Sequence, residues 1–98
     1  MDLTEPSPRL EDSSRLKIAS GFRLQWEAVQ NSYVLLFPEG MVKLNGSAGE
    51  ILRRCNDTLT LSQLVPELER AFDRRDLRDE IYAFVAVAVA NGWLEARS

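Results

Sequence analysis

Ninety-eight residues make one ordinary domain, and an apolar content of 45% lets such a chain close a single core without disulfides or metal. A net charge of -3 disfavours nucleic acid unless a basic face is segregated, and the lack of any histidine removes the commonest general base and metal ligand. With Cys55 as the single cysteine, neither an intrachain disulfide nor a cysteine-built zinc or iron–sulfur site can form.

No apolar run approaches the ~20 residues of a membrane span, and Met1-Asp2-Leu3-Thr4-Glu5-Pro6-Ser7-Pro8 lacks the basic-then-apolar order of a signal peptide. A soluble, cytoplasmic protein is expected. Residues 1–20 carry prolines, serines and alternating charges, which predicts a mobile N-terminal arm, with Leu16-Lys17-Ile18 able to tack onto the domain formed by residues 21–98.

Strict alternation in Phe22-Arg23-Leu24-Gln25-Trp26-Glu27 predicts a half-buried strand with Phe22, Leu24 and Trp26 inward. After turn chemistry at Gln30-Asn31-Ser32, Tyr33-Val34-Leu35-Leu36-Phe37 reads as a strand apolar on both faces, the mark of a central position. Pro38-Glu39-Gly40 turns the chain into a short third strand, Met41-Val42-Lys43-Leu44. The sum is a three-stranded antiparallel meander.

Helical spacing follows. Ser47-Ala48-Gly49-Glu50 fits a capping box, with Ala48, Ile51, Leu52 and Cys55 on one face. Thr60 or Ser62 opens a second helix with the stripe Leu64, Val65, Leu68, Ala71 and Phe72; a Ser62 cap would leave Pro66 only about one turn in, where it costs less. Asp76 is the expected cap of a third helix, with Asp79 and Glu80 near its positive end and Leu77, Ile81, Phe84, Val85 and Ala88 inward. Asn91-Gly92 ends it, and Trp93 and Leu94 fold back onto the core. The expected fold class is α+β, winged-helix-like: a three-stranded antiparallel sheet followed by a three-helix bundle.

No glycine-rich phosphate loop, GxSxG elbow or paired cysteines occur, and the carboxylates fit helix caps and solvated faces. Cys55 has no histidine to activate it and lies on an apolar stripe. The chain therefore reads as non-catalytic and free of cofactors. A DNA-binding winged helix is the competing class. Its recognition helix would begin Asp76-Leu77-Arg78-Asp79-Glu80, where three carboxylates oppose phosphates.

Gly21-Phe22-Arg23-Leu24-Gln25-Trp26-Glu27, then Leu35 through Asn45 with its Pro38-Glu39-Gly40 turn, then Ser47-Ala48-Gly49-Glu50-Ile51-Leu52-Arg53-Arg54-Cys55, resemble the pyrroloquinoline quinone (PQQ) biosynthesis protein D family, PqqD. The likeness spans about residues 16–95, thinning to Leu64, Leu68, Phe72 and the closing Asn91-Gly92-Trp93-Leu94. Two departures stand out. Asn56-Asp57 replaces the usual aspartate-glycine, and the third helix ends in Val85-Ala86-Val87-Ala88-Val89-Ala90 where charged residues are usual.

The resemblance implies a peptide chaperone, a recognition element for ribosomally made, modified peptides. Such a protein holds the precursor peptide PqqA and presents it to the radical-SAM enzyme PqqE, which cross-links a glutamate to a tyrosine. The leader of a related modified-peptide pathway is the alternative guest. In related elements the leader adds as a strand to the third strand, flanked by the third helix. By that analogy Met41, Val42, Lys43 and Leu44 form the pairing strand, and Arg78, Tyr82, Val85 and Val89, at helical spacing, the peptide-binding wall. Val85 and Val89 read equally well as ordinary core. A second stripe, Ala83, Val87 and Ala90, implies either a homodimer or docking of the synthase.

Overall fold

The computed structural model describes residues 10–97. Its chain order is β1 (Arg15–Ile18), β2 (Arg23–Glu27), β3 (Ser32–Phe37), β4 (Gly40–Lys43), α1 (Gly46–Arg53), β5 (Asn56–Thr60), α2 (Leu61–Phe72), α3 (Arg78–Ala90) and β6 (Leu94–Arg97). The class is α+β. The expected meander is present as an antiparallel sheet in the order β2-β3-β4, and a second antiparallel sheet stands beside it in the order β5-β1-β6.

The alternation in β2 and the double-sided apolarity of β3 set the first sheet. Leu24, Leu35 and Val42 are cross-strand partners and so share one face. Val34 and Leu35 point to opposite faces of central β3 and are both buried, at 1% and 0% exposure. Helix α1 lies on the Leu35 face so closely that a Cβ added to Gly49 would stand 2.9 Å from Tyr33 Cδ2. That proximity requires a residue with no side chain. Trp26, expected inward, is 48% exposed instead. Its partner Tyr33 takes the helix contact, and Trp26 sits edge-on against that ring, with centroids 5.0 Å apart.

The second sheet draws its strands from the beginning, middle and end of the described chain. Leu16, inside the segment read as an arm, is 1% exposed at its centre, with Ala96 opposite. Leu16-Lys17-Ile18 is thus a structural strand, and the part of the arm reading that covers residues 1–9 lies outside the described residues. Leu94, at 2% exposure, completes this sheet from β6.

Helix starts differ from the expected caps. Asn45, not Ser47, caps α1, its side chain accepting from Ala48 N at 2.7 Å. Glu50 is engaged elsewhere, 2.6 Å from Arg54 and 3.2 Å from Arg53. Those cations, Arg54 first, hold its carboxyl below the usual range. Thr60 caps α2 in a full capping box with Gln63. Helix α2 continues through Pro66, which stands exposed, and its inner stripe is Leu61, Leu64, Val65 and Leu68, with Ala71 turned to solvent. Asp76 does not cap α3. It takes a left-handed φ of +61°, the N-cap is Leu77 with no side-chain cap hydrogen bond, and the Leu77 amide donates to Glu69 Oε2. Asp79 and Glu80 do lie in the first turn, where the helix dipole favours them. Gly92, at φ +80°, closes α3, with Trp93 N donating to Ala88 O.

Candidate peptide-binding site

Strand β4 is an edge of its sheet. Leu44 N donates to Tyr33 O at 3.2 Å, and backbone groups along an antiparallel strand alternate between the two sides. Val42, opposite Leu35, therefore bonds β3, while Met41 and Lys43 turn their amides and carbonyls to the unpaired side. Met41 is 53% exposed and Lys43 is exposed, and among the described residues no strand pairs with this edge. The strand is only four residues long and carries a lysine, two devices that discourage indiscriminate pairing.

Beyond the end of β4 the chain enters a cavity of about 400 Å³, within the size range of ligand clefts. Asn45, Ser47, Ala48 and Ile51 line one side. Phe72 and Arg74 from the end of α2, and Leu77, Glu80, Ile81 and Phe84 from α3 and its lead-in, line the other. The lining is mainly apolar, with Asn45, Ser47, Arg74 and Glu80 as its polar side chains, which suits a guest that buries side chains against it.

Of the expected residues, Met41, Val42, Lys43 and Leu44 are together on the edge strand or its immediate exit, with Val42 half-buried and Leu44 buried against the core. Arg78, Tyr82, Val85 and Val89, the expected wall, do not line this cavity. Arg78 and Tyr82 both donate to Asp12 Oδ1, at 2.8 and 2.6 Å, and the Arg78 guanidinium lies 4.2 Å from the Tyr82 ring centre. The Tyr82 hydroxyl, and after it Arg78, hold the Asp12 carboxyl below its ordinary range. Burial and the same hydrogen bond raise the Tyr82 phenol. Val85 is fully buried and Val89 half-buried in the core cluster. This stripe clamps the segment leading into β1.

The groove wall is the neighbouring stripe, Leu77, Glu80, Ile81 and Phe84, spaced i, i+3, i+4 and i+7. Three of these had the apolar signal of a core stripe, and they serve as both core and groove floor. No feature of the sequence distinguishes the two uses. Ala83, Val87 and Ala90 are exposed, Val87 at 53%. By helical geometry this strip runs beside the groove wall on its solvent side.

The family model for coenzyme PQQ synthesis protein D (PqqD) matches residues 32–94, from β3 to the first residue of β6. A PqqA binding protein of Stutzerimonas stutzeri is 44% identical over 78 residues, covering 79% of this chain and 85% of that protein. A PqqA binding protein of Methylococcus capsulatus is 35% identical, covering 87% of this chain and 91% of its own length. Among solved structures, the PqqD truncation of PqqCD from Methylobacterium extorquens matches with a TM-score of 0.71 at 27% identity, over 89% of this chain and 95% of that one. That protein is described as a functional, stand-alone recognition element for ribosomally synthesized and post-translationally modified peptides. Extent of sequence, identity and three-dimensional shape agree: the chain belongs to the coenzyme PQQ synthesis protein D (PqqD) family.

Proposed function

We propose that this chain is a non-catalytic peptide chaperone of coenzyme PQQ biosynthesis that binds the precursor peptide PqqA as an added strand on β4. The observation that carries the reading is a strand edge left unpaired among the described residues, followed at Asn45 by a mainly apolar groove, in a chain whose relatives are PqqA binding proteins.

Energetics support a guest that uses both features. Met41 and Lys43 offer four outward backbone groups, and at about 0.5–1.5 kcal/mol each they give about 2–6 kcal/mol. Micromolar binding needs about 8 kcal/mol beyond the costs of association. Apolar side chains entering the groove, at about 1.5–3 kcal/mol each when fully buried, must therefore carry the larger share. Because side chains of a strand alternate, every second guest residue reaches the groove.

Presentation to the radical-SAM enzyme PqqE requires a surface that stays open once the groove is filled. We assign this to the exposed Ala83, Val87 and Ala90 strip beside the groove wall, so that the enzyme would meet chaperone and guest together. Val87→Glu is expected to weaken PqqE binding while leaving PqqA binding intact; a variant that instead dissociates a homodimer in ultracentrifugation would reassign the strip to self-association.

The strand reading is tested by isothermal titration with synthetic PqqA. Proline at position 43 removes an outward amide without touching the β3–β4 ladder. Wild type and Lys43→Ala are expected to bind at micromolar Kd, and Lys43→Pro at least tenfold more weakly with an unchanged circular dichroism spectrum. Equal binding by Lys43→Pro would sink strand addition, and no binding by wild type would sink PqqA as the guest.

A further inference from the structure

We infer that Arg74 reads an acidic side chain of the bound peptide, making the groove selective for a carboxylate set among apolar residues. The inference rests on the peptide-binding reading above and adds the chemistry of the guest.

Arg74 is the single cation lining the groove among the described residues, in the company of Phe72 and Leu77. Among the described residues it takes part in no ion pair, whereas Arg53, Arg54, Arg70, Arg78 and Arg97 each meet a carboxylate within 4 Å. Glu80 also lines the groove and forms no salt bridge with it. Glu80 sits in the first turn of α3, where the helix dipole already stabilises its charge. Arg74 therefore lines the cleft from an exposed position, and among the described residues its guanidinium meets no partner. An arginine so placed can pair a carboxylate bidentately, and a guest seated over the cleft would exclude water and strengthen the pair.

The backbone beneath it is held in place. Arg74 N donates to Glu69 O at 3.0 Å, and Leu77 N donates to Glu69 Oε2 at 3.0 Å, so one residue of α2 fixes both ends of the α2–α3 connection. Asp73 and Asp76 take left-handed φ values of +55° and +61° within it, a tight path that only a well-bonded loop maintains. Arg74 is thus presented by a fixed loop, which lowers the entropy lost when it engages a guest. Arg75 follows directly and carries the same charge but does not line the groove. The pair forms an internal control: one arginine addresses the guest, the other only the general field.

Glu80, the one carboxylate lining the groove among the described residues, completes the pattern. It repels a second acid, so the favoured guest carries one carboxylate at the Arg74 position with apolar or basic neighbours.

The test is isothermal titration of synthetic PqqA into wild type, Arg74→Gln and Arg75→Gln, with circular dichroism confirming the fold of each. Arg74→Gln is expected to weaken binding about tenfold and Arg75→Gln less than twofold, although both lower the charge equally. Peptides with each acidic residue replaced in turn by its amide then locate the partner. One such peptide should lose about tenfold against wild type and nothing further against Arg74→Gln, and a lysine there should bind Arg74→Glu better than it binds wild type. Equal losses for the two glutamine variants, or no acidic position that couples to Arg74, would overturn the inference while leaving peptide binding itself intact. Failure of wild type to bind PqqA would remove the underlying reading and this one with it.

Discussion

Cys55 shows how burial sets a single residue's chemistry. It is 4% exposed, and its thiol donates to Ile51 O at 3.2 Å, one helical turn back. Burial pushes its pKa from 9.0 up to about 12, so no thiolate is available near neutrality. Because the folded state holds the proton more tightly than the unfolded chain, this contribution to stability is complete below about pH 9 and is lost as pH rises toward 12. Relative to Cys55→Ala, the wild type is expected to lose about 1.4 kcal/mol between pH 8 and pH 10, read by urea unfolding. Native protein should also resist iodoacetamide at pH 8; rapid alkylation without unfolding would contradict the assignment. Two residues on, Asp57 occupies the place where the family usually has glycine and takes φ +69°. Aspartate tolerates that left-handed backbone better than most residues, and its Oδ2 meets Arg97 at 3.2 Å.

Among the elements, the connection from α2 to α3 does the most to shape the groove. Glu69 accepts from Arg74 N through its carbonyl and from Leu77 N through its carboxylate, in place of the cap that Asp76 had been expected to provide. Removing the carboxylate leaves the amide of buried Leu77 without an acceptor, at a cost of about 1–3 kcal/mol. Glu69→Ala is expected to lower the urea midpoint and to speed hydrogen exchange at Leu77 and Arg78, with β3 amides unaffected. Uniform exchange across the whole chain would show that the staple is not local. At the other end of α2, the first two amides, Leu61 N and Ser62 N, donate to Ser14 O and Asp12 O at 2.7 and 3.0 Å, so the segment before β1 serves as part of the helix cap. That segment is tied in turn to α3 through Arg78 and Tyr82. Those residues thus brace the side of α3 away from the groove.

For the molecule as a whole, the second sheet closes the fold by joining residues 15–18 to residues 56–60 and 94–97. Its central residue, Leu16, packs in the same cluster as Leu35, Leu61, Leu68 and Val85. Leu16→Ala is expected to destabilise the entire domain by about 2–5 kcal/mol, and Lys17→Ala, whose side chain is 42% exposed, by less than about 0.5 kcal/mol. Urea unfolding checks both, and a Leu16→Ala loss below about 1 kcal/mol would mean that the strand is not a structural member.

What the residues alone determined is whatever a local period encodes. Alternation from Phe22 to Glu27, the apolar run Tyr33–Phe37 and the turns around it specified the meander, and helical spacing specified the inner faces of α1 and α3. The short, lysine-bearing run at Met41–Leu44 already marked an edge, and the missing histidines and lone buried-stripe cysteine already argued against catalysis. Tertiary structure decided the rest. Strands β1, β5 and β6 are short and largely polar, and their ladder partners come from elsewhere in the chain, so no local pattern announces them. Likewise Leu77, Ile81 and Phe84 and the neighbouring Arg78, Tyr82 and Val85 have the same helical period. Only the rotation at which α3 packs sends the first set into the groove and turns Arg78 and Tyr82 toward Asp12, because periodicity defines a helix face but not what the fold places against it.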